Sequence, residues 1–242
     1  IPIFIIMTVF SVAGCLFNTF TGNYLNVWIY NIIQLPLQAL ANTTPGILVL
    51  ALVNQIFWFL GIHGGMVIEG IRGPLSAAGL ADNIAKVQAG GVATNILTRG
   101  FWTSFVVVGG GGITLSLLIA IFLFSKCDDH REIAKFSLIP GICGINEPVI
   151  FGLPMVLNPI FAIPFIINSA IAALIAIVAT NIGFISCGVL DCPPGLPVFI
   201  TGFISYGFHG IIVQAIILAV TFVIWIPFVL LANKQAEVQT EE

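Results

Sequence analysis

The first 68 residues of this chain contain no Asp, Glu, Lys or Arg; the first is Glu69. Further charge-free stretches run from Gly100 to Ser125 and from Cys192 to Asn233, and the 55 residues from Phe136 to Leu190 hold one charge, Glu147. A helix of about 20 apolar residues crosses a bilayer, so each gap has room for a crossing. Only 7% of the 242 residues are charged and 59% are hydrophobic, against about 25% charged in a soluble domain. Soluble globular and disordered chains are thereby excluded. Seven basic against ten acidic residues give −3 and no basic patch, which excludes a nucleic-acid partner. The partner this composition implies is membrane lipid.

The remaining charges gather in Glu69–Arg99, Lys126–Lys135, Asp191 and the tail from Lys234. Ile1–Phe17 reads as the remnant of a spanning helix whose upstream segments lie outside this sequence. Asn23–Asn42 mixes Asn, Gln, Tyr and Trp with Leu and Ile, the pattern of an amphipathic helix. Pro45–Ile62, Phe101–Phe124, Asn158–Asn181 and Gly210–Ala232 read as spanning helices, with Gly109–Gly112 placed for close packing in the second. Lys126–Lys135 is expected as a charged loop, and Asn233–Glu242 as a short cytoplasmic tail without regular structure. Lys126, Arg131 and Lys135 suggest that their loop is cytoplasmic too, although Arg72, Lys86 and Arg99 balance them in number. Five cysteines without a C-x-x-C pair suggest reduced, mostly buried thiols; Cys187 and Cys192 could bridge if they face outside.

Two segments fit no lipid-facing helix. Glu69–Arg99 holds five charges and suits an aqueous loop or a hairpin buried in protein. In Phe136–Leu157, Pro140, Gly141, Gly144, Pro148, Gly152 and Pro154 interrupt an apolar run. Broken backbone at membrane depth survives only where protein or a water-filled cavity satisfies its polar groups, so a re-entrant hairpin is expected. Phe184–Tyr206, rich in Gly and Pro, reads as a partial re-entry.

Glu147, in Gly144-Ile-Asn146-Glu147-Pro148, is the sharpest candidate for chemistry. A carboxyl in hydrocarbon is costly, so it faces a cavity or a partner; a protonated Glu held between helices is the alternative. His63 lies among glycines, with Trp58 five residues before it. Small neighbours admit a ligand, and an indole offers a flat face to a sugar ring; an interfacial His is the bland reading. Asn95, Arg99 and Trp102 follow Gly90-Gly91 and suit either carbohydrate recognition or an interfacial belt. Asp128, Asp129, His130 and Glu132 read as a solvated turn rather than a metal site. No phosphate-binding glycine loop or nucleophile elbow is present. No cofactor or metal is therefore expected, and energy would come from an ion gradient or a partner protein.

The stretch Gly144–Phe165, with its Asn-Glu-Pro core, closely resembles the signature of the membrane (EIIC) components of the phosphoenolpyruvate-dependent sugar phosphotransferase system. The lactose/cellobiose/diacetylchitobiose branch fits best. Phe57-Trp-Phe-Leu-Gly-Ile-His-Gly64, Phe101-Trp102 and Gly109–Gly112 agree in order, and His63 and Glu147 stand 84 positions apart (147 − 63).

The resemblance implies an all-α integral membrane protein, a polytopic helical bundle with two re-entrant hairpins, in the bacterial inner membrane. Residues 1–232 would be the C-terminal, substrate-binding half of such a permease and 233–242 its tail. The family analogy gives Glu147 and His63 as the pair on the sugar hydroxyl to be phosphorylated, Asn146 on the ring, and Trp58, Gly91, Asn95 and Trp102 as pocket lining. It implies a homodimer through an N-terminal half and a group-translocation mechanism. A phosphocysteine on a separate EIIB protein, charged through enzyme I, HPr and EIIA, phosphorylates the sugar during uptake. The chain would be the membrane subunit of a sugar phosphotransferase, not catalytic without EIIB. From the residues alone, two other readings stand beside this one. One is an ion-coupled secondary sugar transporter with Glu147 as its proton site; the other is a structural membrane subunit without a ligand.

Overall fold

The computed structural model of the protein describes residues 2–29 and 43–241. They are helical or irregular, with no strand among the described residues. The chain divides into two compact units, residues 1–40 and 41–242. The first holds α1 (Pro2–Thr21) and α2 (Leu25–Ile29). α1 has no buried residue, and Phe17 meets Trp28 of α2 edge-on at 5.4 Å between rings. Most of the amphipathic helix expected over Asn23–Asn42 lies outside the described residues.

The second unit begins with α3 (Thr44–Phe59), whose Thr43 hydroxyl accepts from the Gly46 amide while Pro45 occupies the first turn. Pro suits that position because its missing N–H would be unpaired anyway. After a turn at Gly61 (φ +81°) come α4 (Gly64–Gln88) and an extended return over residues 91–98. The polar segment Glu69–Arg99 is thus a helix with a chain running back along it. Asn83, fully buried, ties the two: its Oδ1 accepts from the amides of Thr94 and Asn95, and its Nδ2 donates to the carbonyls of Asn95 and Gly188.

Phe101–Phe124 is not the continuous helix the sequence suggested. A three-residue α5 (Arg99–Phe101) widens into a π turn at Trp102–Val106, the chain breaks at the glycines, and a 3₁₀ turn (Gly111–Ile113) leads into α6 (Thr114–Phe124). Gly109, Gly110 and Gly112 adopt φ of +65°, +102° and +69°, conformations that a residue with a Cβ avoids. A Cβ on Gly112 would lie 2.4 Å from the Phe165 ring.

Most of Lys126–Lys135 is likewise helix, not loop: from Asp128 it forms the start of α7 (Asp128–Ile142), with Asp128 and Asp129 in the first turn, where acidic side chains complement the helix dipole. A tight turn follows, with Gly144 at φ +78°, and then short α8 (Glu147–Gly152). α9 (Pro159–Asn181) is capped by Asn158 and packs against α3. Its buried face carries Ser169, Ala172, Ala173 and Ala176, small residues that let helices approach where lipid supplies no hydrophobic drive. Residues 182–199 are irregular. α10 (Ile200–Glu241) kinks at Gly207 and carries the helix on through the polar tail, where irregular chain had been expected.

Among the described residues four segments, 2–21, 99–124, 159–181 and 200–236, are long and apolar enough to cross a bilayer. Polar side chains stitch the interior of the second unit. Gln55 Nε2 donates to Ser169 Oγ, which also accepts from the Gly112 amide. Gln214 joins the Ser104 carbonyl, the Thr201 hydroxyl and the Phe199 amide. Asn233 receives the Lys126 amide and donates to the Phe124 carbonyl, so the start of α7 lies beside the far end of α10. The five cysteines are free, and only Cys192 is buried; Cys15 is exposed and the other three half-buried, against the expectation of mostly buried thiols.

Candidate functional site

The break between α3 and α4 and the break between α7 and α8 open onto one cleft of about 920 Å³. Trp58, His63, Gly65 and Met66 come to it from the first break, and Gly144, Asn146, Glu147 and Pro148 from the second. Gly111 of the glycine break, Trp102, and Pro194 and Gly195 of the irregular segment complete this part of its wall.

His63 caps α4. Its Nδ1 accepts the Met66 amide at 3.2 Å, so the ring proton of a neutral imidazole sits on Nε2. That Nε2 lies 3.6 Å from Glu147 Oε1. The gap exceeds a hydrogen bond, but a hydroxyl oxygen at about 2.8 Å from both atoms would fit it. It would accept from His63 Nε2–H and donate to the carboxylate. The two side chains are 40% and 43% exposed, so both open onto the cleft. Trp58 packs its indole against the His63 ring at 4.2 Å between centroids, and the imidazole is held from two directions. Gly64 permits the turn that brings α4 back to α3, since a Cβ there would sit 1.9 Å from the Asn54 carbonyl oxygen.

Asn146 precedes α8 and is 5% exposed, with its Nδ2 unpaired. Asn54 Oδ1, on the same cleft, is also unpaired. Buried amides without partners are costly, so both are free to meet a polar ligand. Gly111 keeps room beside Asn146: a Cβ there would lie 3.0 Å from Asn146 Nδ2 and 3.1 Å from Gln55 Oε1.

The structure brings six of the eight sequence candidates, Trp58, His63, Arg99, Trp102, Asn146 and Glu147, onto this cleft. Gly91 and Asn95 are not on its wall. Gly91 is exposed past the end of α4, and Asn95 binds Asp82 and Asn83, where it fixes the return chain. Trp102 is 5% exposed, and the Arg72 guanidinium lies over its ring at 5.2 Å. Glu69, Arg72, Asn54 and Thr103, also on the cleft, were not among the sequence candidates. Glu69 pairs with Arg72 one helical turn on and with Arg99 at 3.1 Å. The signal for this cluster was the set of charges in a segment too polar for lipid.

The sequence matches the family model for the phosphotransferase system EIIC over residues 1–169. The chain belongs to the EIIC family. Relatives of this EIIC chain include the cellobiose-specific EIIC component of Lactococcus lactis subsp. lactis (strain IL1403), 36% identical over 99% of the chain and 52% of the relative. The oligo-beta-mannoside-specific EIIC component of Bacillus subtilis (strain 168) is 33% identical over 97% of the chain and 54% of that protein. The chain thus spans about half the length of the curated relatives it matches. The crystal structure of ChbC, the IIC component of the N,N'-diacetylchitobiose-specific phosphotransferase system, superimposes with a TM-score of 0.80 at 28% identity. That match covers 98% of this chain and 56% of that one. An all-helical, multi-pass membrane protein is what the composition had indicated, and this branch is what the resemblance of Gly144–Phe165 had implied.

Proposed function

We propose that the cleft binds a β-linked disaccharide of the cellobiose/lactose type and presents one of its hydroxyls for phosphorylation during uptake. The observation that carries this is the opposed pair His63–Glu147, 3.6 Å apart at the mouths of two helix breaks. In this reading Glu147 accepts the hydroxyl proton as phosphorus is attacked, a role worth typically 10²–10⁴-fold. His63 Nε2–H stabilises the charge that develops on the oxygen. The phosphoryl group comes from a phosphocysteine on EIIB: the sulfur–phosphorus bond breaks, the oxygen–phosphorus bond forms, and the thiolate leaves. The dianionic product is trapped inside. Two lactose-specific relatives, from Lactococcus lactis and Staphylococcus aureus, are named EIICB components, which supports an EIIB partner.

The α4 hairpin and the α7–α8 hairpin are the two re-entrant elements, Asn146 and Asn54 bind ring hydroxyls, and Trp58, 5% exposed with its indole against the imidazole, holds His63 in place. Gly91 and Asn95 act on the pocket only by shaping the return chain. Homodimerisation and an EIIA, HPr and enzyme I relay complete the proposal at the level of the whole permease.

The test is uptake of labelled cellobiose and lactose into inverted and right-side-out vesicles with and without phosphorylated EIIB. Sugar recovered as its phosphate, only when phospho-EIIB is supplied, supports the reading. Unmodified sugar whose accumulation a protonophore abolishes would establish a secondary transporter instead.

A further inference from the structure

Resting on the sugar-binding reading above, we infer that Arg72 is a substrate-recognition residue: its guanidinium donates to one hydroxyl of the bound sugar, and Trp102 is its platform rather than a stacking face for the sugar.

Arg72 lies on the cleft wall and is 8% exposed. One nitrogen, Nη2, is used by Glu69, while Nε and Nη1 are buried without a protein partner. A charged group in this position with N–H donors unspent is expensive; a ligand in the cleft that accepts them removes the penalty. The orientation is fixed on two sides. Glu69 anchors one edge of the fork, and the Trp102 ring supports its plane at 5.2 Å. Trp102, being 5% exposed with Arg72 on its ring, has little free surface for a sugar.

Charge decides between a hydroxyl and a phosphate as the group bound here. Arg72 and Arg99 share Glu69, and Asp191 accepts the Gly100 amide immediately beside Arg99. Two guanidinium groups thus stand with two carboxylates, and the cluster is neutral overall. It presents directed donors without the net positive field that would retain a dianion. A neutral polyhydroxyl ligand is held, and its phosphorylated product is free to leave.

The test is calorimetric binding of cellobiose, lactose and a series of cellobioses each lacking one hydroxyl, with the purified protein in detergent. Arg72→Lys is expected to weaken cellobiose about tenfold or more, the loss of one hydrogen bond to a charged group, with the thermal midpoint little changed. Against one deoxy analogue the penalty should vanish, because the partner hydroxyl is already gone. If Arg72→Lys does not fold, Trp102→Phe is read the same way: a platform role predicts that its penalty disappears for that same analogue. Arg72→Lys binding cellobiose like the wild type, or losing every analogue equally, would overturn the inference while leaving the sugar reading intact. A wild-type protein that binds none of the sugars removes both.

Discussion

At the scale of single residues, His63 does two jobs that can be separated. Its Nδ1 caps α4 and its Nε2 faces Glu147. Asn is a good N-cap but has no group that reaches as imidazole Nε2 does. His63→Asn should therefore hold stability within about 0.5 kcal/mol, while phosphoryl transfer to sugar falls by roughly 10²-fold, the usual loss of one charge-stabilising donor. His63→Ala should lose the cap as well, at about 1 kcal/mol. Thermal unfolding and a phosphorylation assay, run on both variants, check the pair; equal transfer rates in wild type and His63→Asn would exclude His63 from the chemistry. Glu147 was legible as the one charge in 55 apolar residues and His63 by its glycine neighbours and Trp58, while their pairing was implied by the family resemblance. The Glu69–Arg72–Arg99 cluster was not, because charges in a polar hairpin carry no mark of which of them will be buried.

At the scale of elements, the site exists because the chain breaks between α3 and α4, between α7 and α8, and at Gly109–Gly112. The breaks at Pro140–Pro154 announced themselves by proline and glycine density. The break at Gly109–Gly112 did not, since an apolar window scores the same whether its glycines are helical or turned. Only the packing of Phe165 and Asn146 against the bare Cα positions reveals it. Gly112→Ala combines a positive φ with a 2.4 Å clash and should destabilise by about 2 kcal/mol or more. Gly111→Ala has an ordinary φ and crowds Asn146 on the cleft wall and the buried Gln55, so its effect should fall on ligand affinity. Melting curves and sugar titrations on the two variants check this; equal melting points for both would contradict it. The charged start of α7 was misread for a related reason: Asp-Asp at a helix N-terminus looks like loop composition until the dipole is considered. The return chain depends on Asn83. Asn83→Leu strands two amides and two carbonyls and should lower stability by about 2–4 kcal/mol, with faster amide exchange at Thr94 and Asn95.

At the scale of the molecule, the charge-free gaps sufficed to place it in a membrane, and four apolar segments bear that out. The contact of Asn233 with Lys126 and Phe124 puts the start of α7 and the end of α10 at the same membrane face. Single cysteines at Asp129 and at Ala236, on a cysteine-free background, should both react with an impermeant maleimide from the same side, the cytoplasmic one. Labelling from opposite sides would contradict the arrangement.

Phosphorylation in this cleft turns on Glu147 taking a proton from bound sugar. Glu147→Gln, reconstituted in vesicles with phosphorylated EIIB, tests it most directly, because the amide keeps the shape and hydrogen-bonding reach of the side chain and removes the base. The variant should bind cellobiose within a few-fold of the wild type and transfer phosphoryl at least 10²-fold more slowly. Undiminished transfer by Glu147→Gln would contradict the account.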